Sequence, residues 1–291
     1  MDTVIIADSC SDLPLSYIKE RNIPIINYTY MVKDKEYVDD FGQSLSYEDF
    51  YDAVRTGAMP TTSQINSQIF YNAFEEYIKN GKSVIYISFS SGLTGSVNNA
   101  NIAKNMILDK YPQADLTIVD TRAASLGEGL LVYYAVEMLH NGASKEEIVN
   151  WLEDNKFRLN HWFTVDDIDH LRRGGRVSGA AAFVANIMDI KPVLNIDDAG
   201  HLIPIHKAKG RKRALKMLID KFEAFAVEPQ EQVIAISHGD SLEDAQFVAN
   251  KIKEKFNVKD VIMNPIGPTI GSHSGPGTIA LFFLGEKRFI Q

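Results

Sequence analysis

The chain has 291 residues, 45% hydrophobic and 23% charged, which is material for one large domain or, better, two ordinary ones. Its net charge of -8 argues against general binding to nucleic acid or anionic membranes. A lone cysteine, Cys10, excludes an internal disulfide and any multi-cysteine metal site, and fits a reducing compartment.

The start, Met1–Asp8, shows no basic leader, and no apolar run approaches the roughly 20 residues a spanning helix needs. A soluble cytoplasmic protein without stable membrane insertion is expected. Thr3–Asp8 is short, apolar and β-branched, as suits a strand buried on both faces. Asp8 closes it. A phosphoryl-acceptor role would want a second Asp where Cys10 stands, so a turn or capping role is expected for Asp8. Pro14 opens a helix through Arg21, and Ile23–Val32 reads as a second strand. Ser46 begins a short capped helix. The helical spacing of Ile69, Phe70, Ala73, Phe74 and Tyr77 puts Thr62 and Ser63 near a helix N-terminus.

Val84–Phe89 is an apolar strand that feeds Ser90-Ser91-Gly92-Leu93-Thr94-Gly95-Ser96 and then a helix. Free N–H groups and the helix dipole at such a turn suit an anion, with Ser90, Ser91 and Thr94 adding hydroxyls. Plain helix capping by the same hydroxyls is an even alternative. Leu116–Asp120 is a further strand, and Ser125–His140 and Ser144–Asn155 are helices. The alternation predicts a mostly parallel sheet covered by helices, with ligands at the carboxyl ends of its strands.

Past Asn160 the order changes. A strand at His161–Val165 leads to a polar segment, the basic loop Arg172–Arg176 and a small-residue helix at Ser178–Met188. A hairpin (Lys191–Ile196, His201–His206), a helix after Gly210, a strand–helix–strand from Gln232 to Asn264 and the strand Thr278–Leu284 follow. This predicts an α+β layer sandwich. The chain is therefore expected to be α/β overall, with domains at 1–158 and 159–291.

Several enzyme motifs fail. Gly81-Lys82-Ser83 lacks the first P-loop glycine, where Glu76 stands. Gly127-Glu128-Gly129 lacks the third glycine of a dinucleotide fingerprint. Gly271-Ser272-His273-Ser274-Gly275 has His where a nucleophile elbow needs Ser. No histidines pair at metal spacing. The densest remaining signal is Gly267–Gly277, four glycines and two prolines around His273. It reads as a rigid loop with a surface histidine, or as a place where a ligand approaches closely.

Five stretches taken together resemble the DegV family of bacterial fatty-acid-binding proteins: Asp8–Asp12, Thr62-Ser63-Gln64, Ser90–Gly95, Arg173-Gly174-Gly175-Arg176 and Gly267–Gly277. They match in order and spacing across the whole chain. Cys10, Ile65 and Thr94 depart from the residues usual in the family, and none of these changes removes a polar group from the implied site. The resemblance implies a long-chain fatty acid such as palmitate held between two domains. Its carboxylate would be bound by Thr62, Thr94 and His273, and the loops bearing Ser63, Ser91, Gly92, Gly95 and Ser272 would support them. It also implies a carrier with no catalytic residues, cofactor or metal, which presents the lipid to a fatty acid kinase for acyl-phosphate formation feeding phospholipid synthesis. Arg176, with Lys209 in the basic cluster Lys207–Lys216, would face that kinase or a phosphate. That cluster reads equally as a solvated helix start. The imidazole of His273 is expected to donate to the carboxylate, directly or as imidazolium, the latter weakening binding as pH rises. Two other classes stay open: an enzyme acting on a bound carboxylate or phosphate at His273, and a small-anion-sensing regulator.

Overall fold

The structure, a computed structural model, describes residues 2–177 and 189–288. The helix expected at Ser178–Met188 lies outside the described residues. The first half is built on a four-stranded parallel sheet: β1 (Thr3–Asp8), β2 (Ile25–Ile26), β6 (Ser83–Ser88) and β7 (Leu116–Asp120), in the order β2-β1-β6-β7. Strand β6 is buried at every position, as its unbroken apolar run requires.

The expected strand Ile23–Val32 is two strands in two sheets. β2 ends at Ile26, and β3 (Thr29–Val32) pairs antiparallel with β4 (Lys35–Val38) and β5 (Thr61–Ser63) in a separate three-stranded sheet. The break falls at Asn27 and Tyr28. The Tyr28 N–H donates to Ser9 Oγ at 3.0 Å, and its carbonyl accepts the Asp39 N–H at 2.9 Å. These tertiary partners, invisible in an apolar run, turn the chain from one sheet to the next.

The second half is a six-stranded mixed sheet in the order β10-β9-β8-β13-β11-β12. Its strands are β8 (Leu159–Thr164), β9 (Ile190–Ile196), β10 (Leu202–Lys209), β11 (Val233–His238), β12 (Asp260–Pro265) and β13 (Ile279–Leu284). The expected hairpin is β9–β10, paired antiparallel. Helices α8 (Arg211–Phe225) and α9 (Leu242–Phe256) cover one face and share a core with Trp162, Ile279, Leu281 and Phe283. The alternate residues Ala280 and Phe282 face the other way and join the core of the first half.

Helix α5 (Leu126–His140) lies between the two sheets, which explains why it is buried almost all round over its first turns. Gly127 is the rejected fingerprint glycine. A side chain there would meet the Phe282 ring at 2.8 Å, so its work is close helix–sheet packing. The hairpin turn of the second half rests on the hydroxyl turn of the first. Ser90 Oγ donates to Gly200 O at 2.9 Å, and Arg122 Nη1 to Ala199 O at 2.7 Å. A Cβ on Gly92 would stand 2.6 Å from both of those carbonyl oxygens. Gly92→Ala is therefore expected to push this contact apart and cost about 1–3 kcal/mol of stability, the usual range for overpacking. Thermal unfolding reads it; an unchanged midpoint would mean that the turn and the hairpin do not bear on each other.

Candidate functional site

A cavity of about 420 Å³ opens between the two halves. Tyr28, Thr62, Ser63, Gln64, Phe89 and the Ser91–Gly95 turn line it from the first half, and Arg176, Thr269 and His273 from the second. Sequences more than 200 residues apart thus meet at one place: Thr62 Oγ1 and His273 Nε2 share a hydrogen bond of 2.9 Å.

The elements that present these residues differ from expectation in two places. Thr62 sits on β5, not at a helix N-terminus. The following helix, α3 (Ser67–Ile78), begins four residues beyond Ser63, and Asn66 caps it by accepting the Ile69 N–H at 3.0 Å. Next, Gly267–Gly277 is not an irregular loop. Pro268–Ser274 forms the helix α10, with Pro268 in its first turn and Gly275 at φ +75° ending it. Gly267 and Gly271 fit it tightly against Asp12, Asp39, Phe50 and Tyr51 of the first half.

Two buried carboxylates fix α10. Asp12 accepts the Gly267 N–H at 2.8 Å, and Asp39 accepts the Thr269 N–H at 3.0 Å. Tyr51 adds a hydrogen bond from its hydroxyl to Ile266 O at 3.0 Å. Burial pushes the Asp39 carboxyl up to about 7, against the Thr269 hydrogen bonds, and pushes Asp12 up as well. Asp8 takes the expected turn role. It accepts the Cys10 and Phe89 N–H groups and the Tyr86 hydroxyl, while burial raises its carboxyl to about 6.

The hydroxyl turn divides its labour. Ser90 is an inter-half tie, as above, and not a free anion ligand. Ser91 lines the cavity, and its N–H donates to Asp120. Thr94 lines it too; its Oγ1 lies 3.0 Å from Ser96 Oγ and accepts the Ser96 N–H at 3.2 Å, at the start of α4 (Ser96–Lys110). Ser63, Gly92 and Gly95 are also at the wall. Ser272 lines not this cavity but the adjoining space that shares Thr62, Arg176 and His273, and its hydroxyl donates back to Pro268 O at 2.6 Å. Arg176 lines the cavity from the basic loop, with Nη1 donating to Gly174 O. Lys209 is exposed at the end of the edge strand β10 and lines neither this cavity nor the two spaces that adjoin it. Sequence reasoning missed Tyr28, Phe89 and Thr269. Tyr28 lay hidden in an apolar run, and nothing local marked it.

His273 is held neutral. Burial pushes its pKa down to about 4, and the Arg176 charge acts in the same direction. Of the two forms left open by the sequence, the imidazolium is thus disfavoured by the protein itself.

Two further spaces adjoin the cavity. A narrow apolar slot of about 50 Å³ shares Phe89, Leu93, Arg176 and His273 with it and continues past Phe163, Leu171, Leu202, Ile270 and Ala280. On the other side, a space of about 380 Å³ shares Thr62, Arg176 and His273, and adds Met59, His170, Arg173 and Gly174. Among the described residues no carboxylate lines that second space. Among the described residues no three His, Cys, Asp or Glu are grouped to hold a metal, and no helix is long and apolar enough to cross a membrane.

This chain matches DegV, a family of uncharacterised proteins, over residues 2–286. It belongs to the DegV family. It is 50% identical over 285 residues to a DegV domain-containing protein of Clostridium perfringens, covering 98% of each chain. Two solved members have the same fold. A DegV family protein from Thermus thermophilus, described as binding fatty acid, is 28% identical with a TM-score of 0.89, over 98% of this chain and 100% of that one. DegV from Bacillus subtilis, described as a fatty acid binding protein, is 26% identical with a TM-score of 0.84, over the same shares. The two-layer arrangement expected from sequence, a parallel sheet in one half and a mixed α+β sheet in the other, is therefore that of the DegV fold.

Proposed function

We propose that this DegV protein is a carrier that binds a long-chain fatty acid, with the carboxylate in the polar cavity at Thr62, Thr94 and His273 and the tail in the apolar slot. The observation that carries the reading is the continuity of a polar cavity with an apolar slot through Phe89, Leu93, Arg176 and His273. The two DegV structures described as binding fatty acid support it. Burying a sixteen-carbon tail contributes about 12 kcal/mol gross, at about 0.8 kcal/mol per methylene and before the costs of ordering it and of widening the slot from about 50 Å³. The tail supplies affinity, and the polar groups fix orientation.

The finer part of the reading is presentation to a fatty acid kinase. The space beyond Thr62 and His273 supports it, because Arg173 and Arg176 line that space beside the carboxylate position and, among the described residues, no acid does. A phosphoryl donor reaching the carboxylate from there would meet two guanidinium groups. Lys209 has no part in this version of the reading. The division at residue 158 belongs to the same proposal, since the change of sheet falls between Asn155 and Leu159.

The test is the titration of His273 by NMR. In lipid-free protein the ring is expected to stay neutral and unchanging from about pH 5.5 to 8. A bound carboxylate favours the charged ring, so palmitate should raise its pKa. Affinity should then strengthen as pH falls through the interval between the raised value and about 4. An identical titration with and without palmitate would remove His273 from the head-group site.

A further inference from the structure

The resemblance supplies three head-group residues, yet all three already make hydrogen bonds within the protein. Thr94 Oγ1 is tied to Ser96, whose own Oγ accepts the Ile65 N–H at 3.1 Å. Thr62 is paired with His273. Tyr28 is different. It lines the same cavity, and its side chain is only 3% exposed. Its hydroxyl makes no hydrogen bond of regular geometry among the described residues; the Thr94 and Ser96 hydroxyls are within weak hydrogen-bonding reach of it. A buried, unmade donor costs free energy, so its persistence calls for an acceptor.

The rest of Tyr28 is firmly set. Its N–H and carbonyl are bonded to Ser9 and Asp39, and its ring meets Phe89 edge to face at 6.2 Å between centroids. The phenol therefore cannot swing away to find water. Burial, with Asp8 and Cys10 nearby, keeps it in its neutral, proton-bearing form. The Thr269 hydroxyl is likewise buried without a partner of regular geometry and its residue lines the same cavity, but it has the Asp39 carboxyl beside it as an acceptor within the protein.

We infer that Tyr28 is a fourth head-group ligand, whose hydroxyl donates to the lipid carboxylate beside Thr94 and selects an acid over an uncharged head group. A carboxylate has about four lone-pair positions, so four donors can be accommodated. The inference rests on the fatty-acid reading and adds a specificity-determining residue to it.

The experiment uses the full chain, stripped of lipid, with Tyr28→Phe, which removes one oxygen and keeps the ring. Affinities for palmitate and for hexadecanol are measured in both proteins, along with the lipid-free melting temperature. Palmitate affinity is expected to fall about 10- to 100-fold, the usual worth of a hydrogen bond to a charged group. Hexadecanol affinity should change much less, and the melting temperature should not fall, because the variant loses an unpaired buried hydroxyl. In ¹³C-tyrosine-labelled wild type, the Tyr28 Cζ resonance should move when palmitate is added and stay put with hexadecanol. Equal palmitate affinity in the two proteins overturns the inference while leaving the carrier reading intact. Parallel loss of acid and alcohol with a lowered melting temperature also overturns it, since Tyr28 would then only pack. Wild type that binds no palmitate sinks the carrier reading itself.

Discussion

Ala280→Phe is expected to remove the protein's hold on sixteen-carbon acids and shift what it carries toward shorter chains. Ala280 lies on β13 with its side chain at the wall of the apolar slot, opposite the direction taken by Ile279 and Leu281. The slot is narrow at about 50 Å³, and a phenyl ring there takes the room that several methylenes need. Each methylene excluded forfeits about 0.8 kcal/mol, so losing four or more weakens palmitate by at least about a hundredfold. Lipid extracted from the purified variant and identified by mass spectrometry reads the shift. The larger side chain also overpacks the core and should cost about 1–3 kcal/mol of stability, which thermal unfolding separates from the binding effect. A variant that folds and still carries palmitate at full occupancy would mean that the tail lies elsewhere.

Arg173→Glu is expected to slow phosphorylation of the bound fatty acid by a fatty acid kinase at least about tenfold, while the protein still carries lipid. Arg173 lines the space beyond Thr62 and His273, but not the polar cavity itself. Its guanidinium has no salt bridge to an acid among the described residues, whereas its neighbour Arg172 is paired with Asp169 at 2.8 Å. Arg176 is the wrong residue to reverse first, because it lines the lipid cavity and its charge acts on the His273 ring. Steering by exposed charge is screened within about 8–10 Å at ordinary ionic strength, so association of wild type with the kinase should slow as salt rises, and the variant should respond less. Phosphorylation of the variant at the wild-type rate would take this face out of the kinase contact.

The two experiments separate the parts of the reading. The first acts on the tail through the core between the sheets, and the second on the partner through a solvent-facing charge. The first can succeed where the second fails, leaving a carrier whose recipient docks elsewhere.

Much of the architecture was present in local pattern. The unbroken apolar run of β6, the hairpin around Asp197–Gly200 and the helix face of Leu215, Leu218 and Phe222 depend on neighbours within a few residues, so periodicity and turn chemistry report them. The resemblance to the DegV family brought out Thr62, Thr94, Arg176 and His273, and the structure gathers all four around one cavity. The tertiary structure alone decided the rest. It split Ile23–Val32 between two sheets because Ser9 and Asp39 capture the backbone of Tyr28. It set Pro268–Ser274, within Gly267–Gly277, as a helix pinned by the carboxyl groups of residues 12 and 39. It spent Ser90 and Ser272 on backbone carbonyls, left Lys209 away from the cavity and brought Tyr28 to its wall. In each case the deciding partner lies far off along the chain or turns on where a single hydroxyl proton goes. A sequence states which groups can make a hydrogen bond, and only the packed chain determines which partner each one meets.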